Sequence, residues 1–288
     1  MIHKVLHGEG TARLQSGGWG GSLELDDQRG AKEKIRSTSQ GAEEPAQLSY
    51  RRRLKDYWAF FFLLAKPNDK PHTHILRQIV SLFNRNLKGV RVLEVGAGSG
   101  VDSGFLAKLG AHVCAVDYAT SSIIVSKWST VNVQQADGET LPFRDESFDL
   151  VFSQGLIEHF KNPDRLIREK IRVTKRGGFI ILDAPQKYSL YHIYKSFLVA
   201  IGCWPMGWER SYSPFDMKMI TKRYNLKLVK ITGWGSWPIS ATRLRELHSW
   251  LPIPKGLLKL SERNWAKIEE SPLSSYLGMN VTAVFRKP

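Results

Sequence analysis

Between residues 89 and 185 short apolar runs alternate with stretches of mixed polarity, the pattern of strands followed by helices. Arg91–Val95, His112–Val116, Asn132–Gln135, Phe148–Ser153 and Phe179–Leu182 read as five strands. Between them Ser103–Leu109, Ser121–Trp128 and Asp164–Val173 read as helices. This alternation predicts a parallel sheet covered on both faces and joined by right-handed crossovers. Past residue 185 the pattern changes. Residues 188–207 are rich in aromatics, with Tyr188, Tyr191, Tyr194, Phe197 and Trp204. Pro214–Tyr224 reads as a helix, Lys227–Ile231 as a strand, Arg243–Lys267 as mixed helix and loop, and Met279–Phe285 as a final strand.

Upstream, residues 50–86 read as two helices. The Lys66–Pro71 turn separates them, because its two prolines break any continuous helix. The first carries Arg51, Arg52, Arg53 and Lys55, then Tyr57, Trp58, Phe60, Phe61 and Phe62. Two readings of that aromatic cluster stand: a helix packed on the main domain, or a lid or membrane-surface foot whose arginines meet headgroups. In the second helix Ile75, Ile79, Leu82 and Phe83 form a core-facing stripe. His72 and His74, in the proline-rich turn, read as surface residues. Residues 1–48 are rich in Gly, Ser, Gln and charge without periodicity, and read as a disordered tail. The expected organisation is therefore a tail (1–48), an N-terminal helical lid or extension (49–87), an α/β core (88–185), and a cap insertion with closing strands (186–288).

Charge sharpens this division. The formal net charge is +15. Residues 89–185 hold 11 basic and 12 acidic side chains, whereas residues 186–288 hold 16 and 6. The excess lies outside the core, on segments that choose partners, and suits an anionic lipid, nucleic acid or acidic small molecule. The two cysteines, Cys114 and Cys203, lack metal-ligand spacing, which argues against a disulfide framework and a zinc site. Cys114, in a core strand, reads as packing. No run reaches the roughly 18–20 apolar residues of a membrane span, and the start lacks a signal-peptide core. The expected location is cytoplasmic, with attachment to a membrane surface open.

The candidate chemistry lies where strands end. Gly96-Ala-Gly-Ser-Gly100 follows the first strand and opens a helix. Its glycines permit close backbone approach, and the helix N-terminus favours electronegative ligand atoms. A dinucleotide fingerprint needs a further glycine at position 101, where this chain has Val101. Asp117 ends the second strand, about 20 residues on, where a carboxylate can accept both ribose hydroxyls; a helix cap before Ser121 is the alternative. Asp137 follows the third strand, placed to accept from an adenine amino group or simply to form a turn. Open α/β sheets bind ligands at this carboxyl edge.

The segments Glu94–Gly100, Val116–Tyr118, Asp137–Phe143, Ser147–Phe152, Glu158-His159 and Arg172–Gly178 resemble, in order, the motifs of class I S-adenosylmethionine (SAM)-dependent methyltransferases. The nearest likeness is the small-molecule branch that includes quinone-biosynthesis enzymes. The resemblance covers residues 90–185, with a weaker likeness over Trp208–Pro214. It implies a Rossmann-like, seven-stranded, mostly parallel sheet with helices on both faces and a cap inserted after the fifth strand. It also implies that Gly96, Ala97, Gly98 and Gly100 surround the methionine part of SAM, with Glu94 organising the loop and the amino group. Asp117 would hold the ribose, Tyr118 would pack near the adenine, and Asp137 and Gly138 would read its edge. Gln154 and Gly155 would face the methionine and the transferring methyl. Two departures, Arg176 in place of a usual proline and Ala119 in place of a usual hydroxyl residue, leave these contacts intact.

Methyl transfer from SAM mainly needs alignment and exclusion of water. If the acceptor needs a base, His159 is the candidate; a loop-orienting histidine is the other reading. Tyr191, Tyr194, Glu209 and Tyr212 are candidate substrate contacts. The aromatic, basic flanks suit an aromatic, isoprenoid or lipid-like acceptor. A nucleic-acid or protein methyltransferase is the rival enzyme, although Gln154-Gly-Leu-Ile stands where an Asn-Pro-Pro-Tyr-type segment would be. A non-catalytic SAM-binding scaffold and a NAD-dependent oxidoreductase complete the alternatives.

Overall fold

A computed structural model of the chain describes residues 72–119, 131–201, 208–235, 265, 267–269 and 271–288. The chain divides into two units, Met1–Gln47 and Leu48–Pro288, and every described residue belongs to the second. The expected tail, the aromatic helix at Tyr57–Phe62, the helix Ser121–Trp128 and most of Arg243–Lys267 lie outside the described residues.

The elements are α1 (Thr73–Leu82), β1 (Arg91–Val95), α2 (Val101–Lys108), β2 (His112–Asp117), β3 (Val133–Gln135), β4 (Phe148–Gln154), a 3₁₀ turn (Ile157–His159), α3 (Asp164–Val173), β5 (Thr174–Pro185), α4 (Leu190–Ala200), α5 (Pro214–Tyr224), β6 (Lys227–Trp234), α6 (Ser274–Leu277) and β7 (Asn280–Arg286). Seven strands make one sheet in the order β3-β2-β1-β4-β5-β7-β6. β1 to β5 pair in parallel, and β7 runs antiparallel between β5 and β6. The expected mostly parallel sheet is therefore what forms.

Strand alternation sends side chains to two cores. Leu93, Val95 and Val151 face α3 and α5, meeting Leu166, Ile167, Met217 and Ile220. Val92, Leu150 and Phe152 face the other way and meet Ile75 and Ile79 of α1 and Leu106 of α2. The predicted stripe of α1 is thus a packed face. Helix ends follow local chemistry. At α5, Ser213 and Asp216 form a reciprocal capping box, Pro214 opens the helix, and Asn225 closes it in the left-handed region. Arg172 of α3 ties down the β3–β4 connection, binding Asp145, Glu169 and the carbonyls of Leu141 and Phe143 at 2.7–3.0 Å.

Gly138 sits where this packing is tightest. A Cβ there would stand 2.8 Å from Leu166 Cδ1 and 3.1 Å from Val95 Cγ1. Gly138→Ala should destabilise the fold by about 1–2 kcal/mol through overpacking, read as a lower urea midpoint at unchanged slope.

Three expectations need correcting. Cys114 is exposed, not core packing. β3 has only three residues and pairs with Ala115–Asp117, so Cys114 lies before the paired half of β2. His74 is not a surface residue, whereas His72 is exposed as expected but tied to the fold. His72 donates its N–H to Asp102 Oδ1 at 2.7 Å and pairs its Nδ1 with Oδ2 at 2.6 Å. His74 is nearly buried and stacks on Trp234, ring centroids 5.9 Å apart. Finally, β5 extends well beyond Phe179–Leu182 at both ends, because β7 pairs with it from Phe179 to Pro185 and Thr174 pairs with Phe148.

Candidate active site

The carboxyl ends of β1, β2, β3 and β4 gather the residues predicted to bind the cofactor. After β1 the chain turns through Gly96, Gly98 and Gly100, all with positive φ (78°, 52° and 73°). That backbone favours glycine. Space is a second constraint at Gly96, where a Cβ would meet the Leu156 side chain at 3.1 Å. Gly100 then opens α2.

Asp117 is built into this loop. Its Oδ2 accepts from Gly98 N and its Oδ1 from Ala119 N, both at 2.8 Å. The carboxylate therefore fixes the glycine turn as well as standing at the strand end. Asp137 Oδ1 accepts from Glu139 N at 2.9 Å, the turn contact expected of an aspartate there. Gly138 is buried between them and α3, Ala97 is buried, and Tyr118 is exposed.

Glu94 lies on the face of β1 that looks toward α2. Its Oε2 accepts from Ser103 N at 3.1 Å and from Ser103 Oγ at 2.5 Å. Burial, reinforced by the neighbouring Asp102, pushes its pKa well above the carboxylate range. Gln154 ends β4 on the same face, and its Oε1 is a buried acceptor with no hydrogen bond. Gly155 follows with φ 61°.

Beyond β4 lies a second, more buried set. Glu158, His159, Lys195 and Glu209 are all nearly inaccessible to solvent. His159 Nε2 is 4.0 Å from Glu209 Oε1, and Lys195 Nζ is 3.4 Å from Glu209 Oε2. Burial and the Lys195 charge pull the His159 pKa down to about 4, so its ring is neutral at pH 7. Burial, then Glu209, pushes Glu158 well above the usual range. Glu158 Oε2 makes no hydrogen bond. Tyr212 is buried in the core with its hydroxyl 3.4 Å from the Ile157 carbonyl, whereas Tyr194 is exposed and Tyr191 half-buried on α4.

Sequence reasoning missed several buried charges, three of which stand out. Lys170 is fully buried on α3 and donates to Ser153 Oγ. Burial pulls its pKa to about 7. Asp183, near the end of β5, accepts from Trp234 Nε1 at 2.7 Å, Asn280 Nδ2 at 2.8 Å and Thr282 Oγ1. Lys195 is the third, and it had a readable signal: the single charged residue in the mostly apolar run Ile193–Ala200. Among the described residues no cluster of His, Cys, Asp and Glu fits a metal ion.

Comparison with known proteins agrees with this geometry. A family model described as a methyltransferase domain matches residues 93–182, the span from β1 to β5. The ubiquinone biosynthesis O-methyltransferase of Coxiella burnetii is 33% identical over 165 residues, covering 53% of this chain and 70% of the relative. The protein of that name from Pelagibacter ubique is 28% identical over 179 residues, 54% of this chain and 72% of the relative. Among solved structures, a putative sarcosine dimethylglycine methyltransferase from Galdieria sulphuraria superposes with a TM-score of 0.51 at 16% identity, over 74% of this chain and 84% of that one. Magnesium protoporphyrin IX methyltransferase from Synechocystis, solved with bound S-adenosylhomocysteine (SAH), reaches 0.50 at 13% identity, over 86% and 90%. The sheet order, the glycine turn at its carboxyl edge and these relatives converge: the chain belongs to the class I SAM-dependent methyltransferases, and SAM is its cofactor.

Proposed function

We propose that the chain methylates an oxygen of a phenolic or isoprenoid acceptor that it meets at a membrane surface. The oxygen is suggested by the O-methyltransferase names of its relatives. The observation that carries the membrane part is α4. This helix buries its lysine, Lys195, and exposes Leu190, Ile193, Phe197 and Val199, each more than half accessible. Phe215 of α5, 66% exposed, adds to the apolar surface. A helix turned inside out in this way suits an apolar phase, and the basic surplus of residues 186–288 suits anionic headgroups. No described helix is long and apolar enough to cross a membrane. A cytoplasmic enzyme attached to the bilayer face fits these features.

The residues at the strand ends fit the cofactor. Buried Glu94, raised in pKa beside Asp102, is stabilised by a nearby cation, and the amino group of SAM supplies one. Gly96, Ala97, Gly98 and Gly100 leave room for the methionine chain, while Asp117 faces the ribose. Tyr118, Asp137 and Gly138 border the adenine. The buried acceptor Gln154 Oε1, with Gly155, borders the methionine end. Bound SAM supplies a sulfonium methyl already activated for in-line displacement. The chain's own work is to align the acceptor, exclude water and take its proton. His159 is the proton acceptor in this reading, with Glu209 4.0 Å behind it and Lys195 holding Glu209. Tyr191 and Tyr194 border the acceptor, whereas Tyr212, expected there as well, packs in the core.

Transfer of labelled methyl from SAM to isoprenoid phenols, with and without anionic vesicles, tests this. We expect turnover several-fold faster with vesicles. Equal rates would remove the membrane part, and no transfer to any phenol would remove the acceptor class.

A further inference from the structure

We propose that the chain carries a second ligand site, for a small aromatic anion, at the end of the sheet opposite the cofactor. A cleft of about 730 Å³ opens there, within the rough 300–1,000 Å³ range of ligand pockets. Its walls come from the start of β1 (Arg91), the first half of β2 (His112 to Cys114), the β3–β4 connection (Phe143, Arg144) and the start of β4 (Phe148). In a parallel sheet these strand starts lie away from the carboxyl edge that holds SAM.

The cleft exists for two local reasons. β3 is too short to cover His112–Cys114, and the connection at residues 136–147 forms no helix that would cover the face below. The result is an exposed Cys114 in a strand whose later residues are core.

Its chemistry is directional. Arg91 and Arg144 line the cleft beside His112, and neither arginine makes an ion pair among the described residues. The nearby carboxylates pair with other cations, although Asp149 Oδ2 also accepts from the backbone N–H of Arg91 at 2.8 Å. Asp145 binds Arg172 at 2.7 Å, Asp149 binds Lys175 at 2.6 Å, and Glu146 lies 3.4 Å from both Arg176 and Lys287. Two guanidinium groups without a carboxylate partner among the described residues therefore stand at the cleft. Below it, Phe143 and Phe148 meet edge to face with centroids 5.0 Å apart, giving an aromatic wall. Guanidinium groups recognise planar oxyanions in bidentate fashion, and aromatic rings favour a flat apolar body. A ring carrying a carboxylate, phosphate or sulfonate satisfies both, whereas inorganic phosphate uses only the rim.

Cys114 provides a reporter inside the cleft. The intact chain is alkylated with iodoacetamide, and modification of Cys114 is followed by peptide mass spectrometry with Cys203 as reference. We expect saturating 1-naphthalenesulfonate to slow Cys114 alkylation about fivefold or more. Inorganic phosphate and neutral 1-naphthalenemethanol should protect little. In the Arg91→Ala/Arg144→Ala double variant the protection ratio should fall to near one, with SAM affinity unchanged as evidence of folding. An unprotected Cys114, equal protection by the neutral naphthalene, or protection that survives in the variant would each overturn the proposal.

Discussion

Asp117→Ala should weaken SAM binding about 100-fold, close to 2.7 kcal/mol, while the protein stays folded. The size follows from what the carboxylate does. Hydrogen bonds to a carboxylate contribute about 1.5–3 kcal/mol each. Two ribose hydroxyls can share it, and water that fills the space left by the side chain offsets part of losing both contacts. The structure adds a second loss. Asp117 Oδ2 also accepts from Gly98 N at 2.8 Å, so alanine frees the glycine turn proposed to meet the methionine part. Asp117→Asn retains one acceptor oxygen and should lose less. Calorimetric titration with SAM reads both variants, and NAD should bind neither the variants nor the parent chain. Unchanged SAM affinity in Asp117→Ala would remove the ribose assignment.

Much of the site was legible because it rests on local rules. Glycine turns announce themselves where φ must be positive, and Gly96, Gly98, Gly100 and Gly155 all adopt it. Asp117 was visible from its place at a strand end. The helices Asp164–Val173 and Pro214–Tyr224 were readable to the residue because a first-turn aspartate and a capping box mark their starts. What escaped was set by long-range pairing. The Gly177-Gly178 pair looks like a turn before a strand, yet β5 runs through it, held by β4 on one side and β7 on the other. His72 and His74 looked like turn residues because their partners, Asp102 and Trp234, lie 30 and 160 positions away. Cys114 looked buried because a strand's pattern says nothing about how far its neighbour extends.

The proposed role of His159 as the proton acceptor can be tested through its burial. We expect His159→Gln to lower kcat by about 100-fold or more, within the range of general-base effects, with SAM affinity unchanged. The pH profile separates this from a packing defect. With a pKa near 4 the ring is neutral across the neutral range, so the parent rate should stay flat down to about pH 5 and fall below it. A histidine at its ordinary pKa would instead lose rate near 6.5. In the glutamine variant the acidic limb should vanish. Stability carries the same signature. The folded pKa lies below the unfolded one, so this group's contribution is complete above about pH 6.5 and is lost as pH falls toward 4. The shift of roughly 2.5 pKa steps corresponds to about 3 kcal/mol. Urea midpoints at pH 7 and pH 4.5 should therefore differ less in His159→Gln than in the parent chain. Full kcat in the variant would make His159 a loop-orienting residue and leave the proton to the acceptor and solvent.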